Sequence, residues 1–138
     1  MTTAIRSTGQ DAQASAWRTF FLVAAVYDIV LGIGFFFLFG PIFSALGIAL
    51  PNNTSYIHLT AAFVFVQGVG YWFVFQDPAA NLGIVKLGIV YKAVFAGLGF
   101  YYLAIGQLLH SVFLVLAVAD ALFLVGFWLF LRRSTSSV

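Results

Sequence analysis

The stretch NLGIVKLGIVYKAVFAGLGFYY, residues 81–102, is apolar for most of its length yet carries Lys92 at its middle. At ~1.5 Å of rise per residue it forms a helix ~33 Å long, enough to cross the ~30 Å hydrocarbon core of a bilayer. Lys92 then falls near the midplane. An isolated ammonium there costs at least ~2.5 kcal/mol on insertion scales, so it requires a protein partner or water. The rest of the chain has to house that charge.

Of the 138 residues, 63% are hydrophobic and 7% charged, a balance that places the chain among integral membrane proteins rather than soluble domains. There is no cysteine, which excludes disulfides, thiolate catalysis and cysteine-ligated metals. The formal net charge of +2 arises from Arg6, Arg18, Lys86, Lys92, Arg132 and Arg133 against Asp11, Asp28, Asp77 and Asp120. So few bases make no nucleic-acid surface. No Walker lysine, paired-histidine motif, nucleophile elbow or Gly-x-Gly-x-x-Gly fingerprint is present, so no enzyme class is indicated. No cofactor is indicated either.

Hydropathy predicts an all-α fold, a membrane four-helix bundle, with spans at about 17–39, 57–75, 81–102 and 108–131. Residues 1–16 are small and polar and are expected to form a flexible or interfacial cytoplasmic tail; 17–132 form the transmembrane domain and 133–138 a second cytoplasmic tail. The apolar region after the N-terminus is too long for a signal peptide, so the N-terminal segment is expected to remain in the mature chain. Residues 41–50, opening with Pro41, predict a short interfacial helix in the first outer loop, and 51–55 a turn. Asp77, in Gln76-Asp77-Pro78, is expected to cap the third span.

The bases cluster near the termini and the Asp77 loop, whereas residues 40–56 and 103–107 carry no charge. By the positive-inside rule both termini are expected in the cytoplasm, in a multi-pass protein of a bacterial inner membrane. Trp17, Trp72 and Trp128 fall towards that side and Tyr56, Tyr101 and Tyr102 towards the other, as interfacial anchors do.

Centring each span in the bilayer brings Asp28, Gln67, Lys92 and Asp120 to one depth, one polar side chain per helix. Helix axes ~8–10 Å apart would let these groups meet inside the bundle. Lys92 is therefore expected to pair with Asp28, Asp120 or both. Ala24 and Gly32 flank Asp28 at one helical turn, and Gly88, Ala96 and Gly99 share the Lys92 face, so close helix approach is expected there. Tyr27, Tyr71 and Tyr91 are expected to add hydroxyls to the network. One lysine offsets one aspartate, and the second carboxylate must take up a proton or hold a cation. Alternatively, the cluster only fixes helix register and rotation.

Phe21-Leu-Val-Ala-Ala-Val-Tyr-Asp28 is echoed by Phe113-Leu-Val-Leu-Ala-Val-Ala-Asp120. The matched spans cross in opposite directions, as in-plane two-fold symmetry requires, although the order differs from a tandem duplication. His58 and His110 lie towards the outer side with no third ligand at their depth, which argues against a metal. A retinal-like aldehyde on Lys92 is chemically feasible but sits poorly in a bundle with so little polar surface. In length and hydropathy the chain resembles the small four-span bacterial membrane proteins, such as the DoxX-like ones, with no defining motif in common.

The function expected first is proton- or cation-linked transport or conduction, with the lipid bilayer as environment and a homo-oligomer or a membrane-protein partner completing the assembly. The alternatives are an accessory subunit of a larger membrane complex, and a protein or enzyme that binds lipid or quinone.

Overall fold

A computed structural model describes the backbone of residues 2–135 and the side chains of residues 9–135. The described residues form five helices: α1 (Thr2–Phe37), α2 (Phe39–Ala45), α3 (Ser55–Gln76), α4 (Leu82–Ala104) and α5 (Ser111–Thr135). Four of them are long and apolar enough to cross a membrane, as the sequence predicts, and α2 is the short helix between the first two spans.

The boundaries differ from expectation at the ends. The helix α1 begins at Thr2, so the segment 2–16, expected as a flexible or interfacial tail, is helical. Residues 10–16 (QDAQASA) contain neither proline nor glycine, and a helix already nucleated extends through such a segment at little cost. At 36 residues α1 is far longer than a bilayer core requires. Its residues 9–16, exposed and small or polar, therefore stand beyond the apolar belt. Residues 133–135 of the second expected tail continue α5, and 136–138 lie outside the described residues.

Helix α2 starts two residues before Pro41 and ends at Ala45. Proline is tolerated there because a first-turn N–H has no partner inside the helix. Gly47 closes α2 with φ 67°, where the Gly47 N–H reaches the Ser44 carbonyl (3.1 Å) and the Ile48 N–H the Phe43 carbonyl (2.9 Å). Gly106 ends α4 in the same way, with φ 69° and matching bonds to Leu103 and Tyr102. Only glycine takes this left-handed position without steric cost. Asp77 does not cap α4. It is the C-cap of α3, and its Oδ1 accepts the Ala80 N–H (3.0 Å), while Asn81 occupies the N-cap of α4. Three turn residues separate Asp77 from that N-cap, beyond the reach of its short side chain.

The helices associate as two tight antiparallel pairs, α1 with α3 and α4 with α5. Small residues set this. Gly32 lies so close to α3 that an added Cβ would stand 2.7 Å from the Phe65 nitrogen, and Gly68 lies as close to the Ile29 nitrogen. Across the other pair, a Cβ on Gly99 would meet the Ala117 Cβ at 2.5 Å. Where lipid removes the hydrophobic drive between helices, such close backbone approach supplies the dispersion energy that replaces it.

Between the two pairs the space is filled in three layers. Towards the end holding both termini, Phe20, Phe21, Phe127 and Phe130 interleave with ring centroids 5.0–5.7 Å apart, and Gly126 leaves room for the Phe20 ring. At mid-depth lie the charged groups. Towards the α2 end the pairs diverge around an apolar cleft. Arg18 fastens the terminal end, its Nε donating to the Phe75 carbonyl at 3.0 Å, where α3 has carbonyls left unpaired.

Gly68→Val should push α1 from α3 and lower stability by about 1–3 kcal/mol, the usual cost of overpacking. Gly34→Ala, with nothing within 4 Å of the added carbon, should leave stability unchanged or raise it. Thermal melting of both variants in one detergent checks the contrast.

Candidate functional site

Each charged residue of the middle layer lies on the buried stripe of its helix. On α4 that stripe is Val85, Gly88, Lys92 and Ala96, and on α5 Ala117, Asp120, Phe127 and Phe130, both at helical spacing. Exposure falls to 0% for Lys92, 1% for Asp28 and 4% for Asp120. Lys92 Nζ donates to both oxygens of Asp28, at 2.8 and 3.0 Å, and to Asp120 Oδ1 at 2.6 Å. An ammonium has three N–H groups, and all three are used. The aspartates matched by the sequence echo of the first and last spans thus meet at one cation.

Aromatic rings enclose the same ammonium. Its nitrogen lies 5.2 Å from the Tyr27 ring centroid, 5.6 Å from Tyr71, 5.4 Å from Tyr91 and 5.4 Å from Phe123. Each contact adds about 0.5–2 kcal/mol in a desolvated setting. The expectation for the tyrosines is corrected in part: they gather at the site, but none of their hydroxyls bonds a charged member of the cluster among the described residues. The Tyr27 and Tyr71 hydroxyls are buried without any partner there. The carboxylates take all three N–H groups of Lys92, which leaves it none to donate to a tyrosine oxygen, and the rings face the cation instead. No sequence signal announced the cage, since a tyrosine one residue or one turn from a charged neighbour predicts proximity and not ring orientation. Phe123, the fourth wall, was not anticipated at all.

Gln67 is the other departure. It is half-buried on α3 at the expected depth, yet among the described residues it makes no hydrogen bond to the triad. The buried stripe of α3 runs through Gly68 and Tyr71 instead, because Gly68 must face α1 for the close contact to form. That rotation turns Gln67 aside by ~100°.

The charge count stays unbalanced. Counted as ionised, one ammonium and two carboxylates sum to one negative charge, which a proton or a bound cation has to offset in the low-dielectric middle of the bundle. It is not shared evenly. Asp28 accepts two bonds from Lys92 and Asp120 accepts one, so Asp120 is the carboxylate with spare acceptor capacity.

The histidines are elsewhere. His58 packs against the rings of Phe36 and Phe39, with centroids 4.9 and 5.1 Å away, and His110 Nδ1 accepts the Val112 N–H at the start of α5. Among the described residues no group of three or more potential ligands comes together for a metal. Comparison with protein-family models, with curated proteins and with solved structures finds no match to this chain.

Removing the cation should be worse than removing either anion. Lys92→Met leaves two carboxylates facing each other and should cost about 3–5 kcal/mol, while Asp120→Asn leaves a neutral Lys92–Asp28 pair and should cost less. The triple variant Asp28→Asn, Lys92→Met, Asp120→Asn should recover part of the Lys92→Met loss. Denaturation of the four proteins in one detergent gives the order.

Proposed function

We propose that this chain is a proton- or cation-linked transport or conduction unit, with the Asp28–Lys92–Asp120 triad as the group that binds and releases the transported charge. The observation that carries this is the surplus: one ammonium serves two buried carboxylates, and Asp120 holds the spare acceptor. A purely structural ion pair is cheapest when neutral, whereas a site that must exchange a cation requires an unmatched charge where lipid would otherwise forbid one. Asp28, held through both oxygens, positions Lys92; Asp120 takes the proton or cation. The distribution of bases supports an orientation with both termini in the cytoplasm. Four spans enclose little space by themselves, which favours a homo-oligomer or a membrane-protein partner.

The pH dependence follows from competition. The titratable groups facing the triad are Tyr27 and Asp28 from α1, Tyr71 from α3, Lys92 and Tyr91 from α4, and Asp120 from α5. Acidification supplies the proton that cancels the surplus charge, so cation uptake should fall as pH falls. With the protein in liposomes, proton and alkali-cation flux should be measurable. Asp120→Asn should reduce it at least about tenfold while the protein stays folded, the scale of losing a charge-assisted hydrogen bond. Wild-type protein without flux, or folded Asp28→Asn and Asp120→Asn variants with full pH-dependent flux, would end this reading.

A second reading is favoured by the complete use of the three Lys92 N–H groups: the triad as a packing lock in an accessory subunit. Its mark is a defined partner that co-purifies in mild detergent from wild type and is lost on Lys92→Met.

A further inference from the structure

The cleft at the α2 end begins about one helical turn from the triad. The nearest wall residue on each long helix lies one turn from that helix's mid-depth polar residue, and in every case towards the α2 end. Leu31 follows Asp28 by three positions and Phe95 follows Lys92 by three, on the helices that run towards α2. Val64 precedes Gln67 by three and Leu116 precedes Asp120 by four, on the helices that run away from it. Phe43 of α2 contributes at the far end. The cleft measures about 230 Å³. A dry cavity of ~150 Å³ admits benzene, so this one has room for a phenyl ring with a substituent. Its walls are almost wholly apolar, and Phe95 stacks on Tyr91, itself a wall of the ammonium cage, at 6.4 Å between centroids.

Two features thus adjoin: an apolar cleft, and below it a ring-lined site with one carboxylate more than its resident cation needs. Carboxylates attract any cation, but aromatic walls favour one that is weakly hydrated and organic, since a small metal ion loses far more hydration on leaving water. We infer that the site takes amphiphilic organic ammonium cations, with the apolar part in the cleft and the charged nitrogen against Asp120 and the aromatic cage. This rests on the reading of the triad as an exchange site and names the substrate class for it. Lys92 then has a second role. It occupies the cage in the resting state and shifts towards Asp28 when the incoming nitrogen takes Asp120.

Benzyltrimethylammonium is a suitable probe, because its charge does not vary with pH and neopentylbenzene is its uncharged carbon isostere. Binding of both to the full-length protein in nanodiscs is measured at neutral pH. The expected result is saturable binding of the cation, with the isostere at least about tenfold weaker, the scale of a desolvated cation–aromatic contact plus a charge pair. Asp120→Asn and the cleft-filling Val64→Phe should each weaken the cation by a similar factor. Val64 touches no charged group of the triad, so it keeps the test valid should Asp120→Asn fail to fold. Equal binding of the two probes, no binding of the cation, or cation binding unchanged in both variants would overturn the inference. Saturable cation binding without any ion flux would sustain the site and remove the transport reading. Ion flux unaffected by saturating benzyltrimethylammonium would do the reverse.

Discussion

A lysine ammonium at the middle of a bilayer has nowhere to discharge its electrostatic cost except into the protein, and the rest of this fold can be traced to that constraint. Lys92 sits too deep in α4 for its side chain to reach either surface, so acceptors must come to it. They come from the first and last helices, one from each helix pair, and this ties two pairs that otherwise meet mainly through aromatic side chains. In low dielectric such a tie is worth little as net stability, because desolvation offsets most of the attraction. Its force is in specificity. A bundle with α4 rotated by one residue would leave three charges unpaired.

The two pairs use a different physics within themselves. Glycine and alanine bring the backbones of α1 and α3, and of α4 and α5, into direct contact, leaving dispersion as the cohesive term. Between the pairs, bulky rings fill the terminal end. The triad fills the middle, and an apolar cleft lies towards α2.

The triad's site differs from an ordinary buried ion pair in two respects. Its carboxylates outnumber its ammonium, and its walls are rings rather than hydroxyls. Rings stabilise a cation without offering it a bond it must break on leaving, while the carboxylates supply the directional bonds. The combination suits a cation that has to be held and also exchanged. The unpartnered Tyr27 and Tyr71 hydroxyls keep polar capacity in reserve around it.

The number of spans and the shared level of the charged residues along them were legible in the sequence, because hydropathy and helical rise are local properties that every residue contributes to independently. So was the pairing of Lys92 with Asp28, Asp120 or both, since no other residues of opposite charge share its depth; the structure brings both to it. What tertiary structure decided was rotation and spacing. Gln67 was at the right depth but turned aside, because the Gly68 contact sets the azimuth of α3 and depth carries no azimuthal information. The tyrosines were near the charge, yet whether ring or hydroxyl faced it depended on side-chain rotamers set by the packing of all four helices. The helical extension before Trp17 followed from propagation out of a packed helix, which composition alone reads as a tail. The cleft belongs to no single helix. Its walls come from all five helices, and a space bounded by residues so far apart in the chain is not written in any one stretch of it.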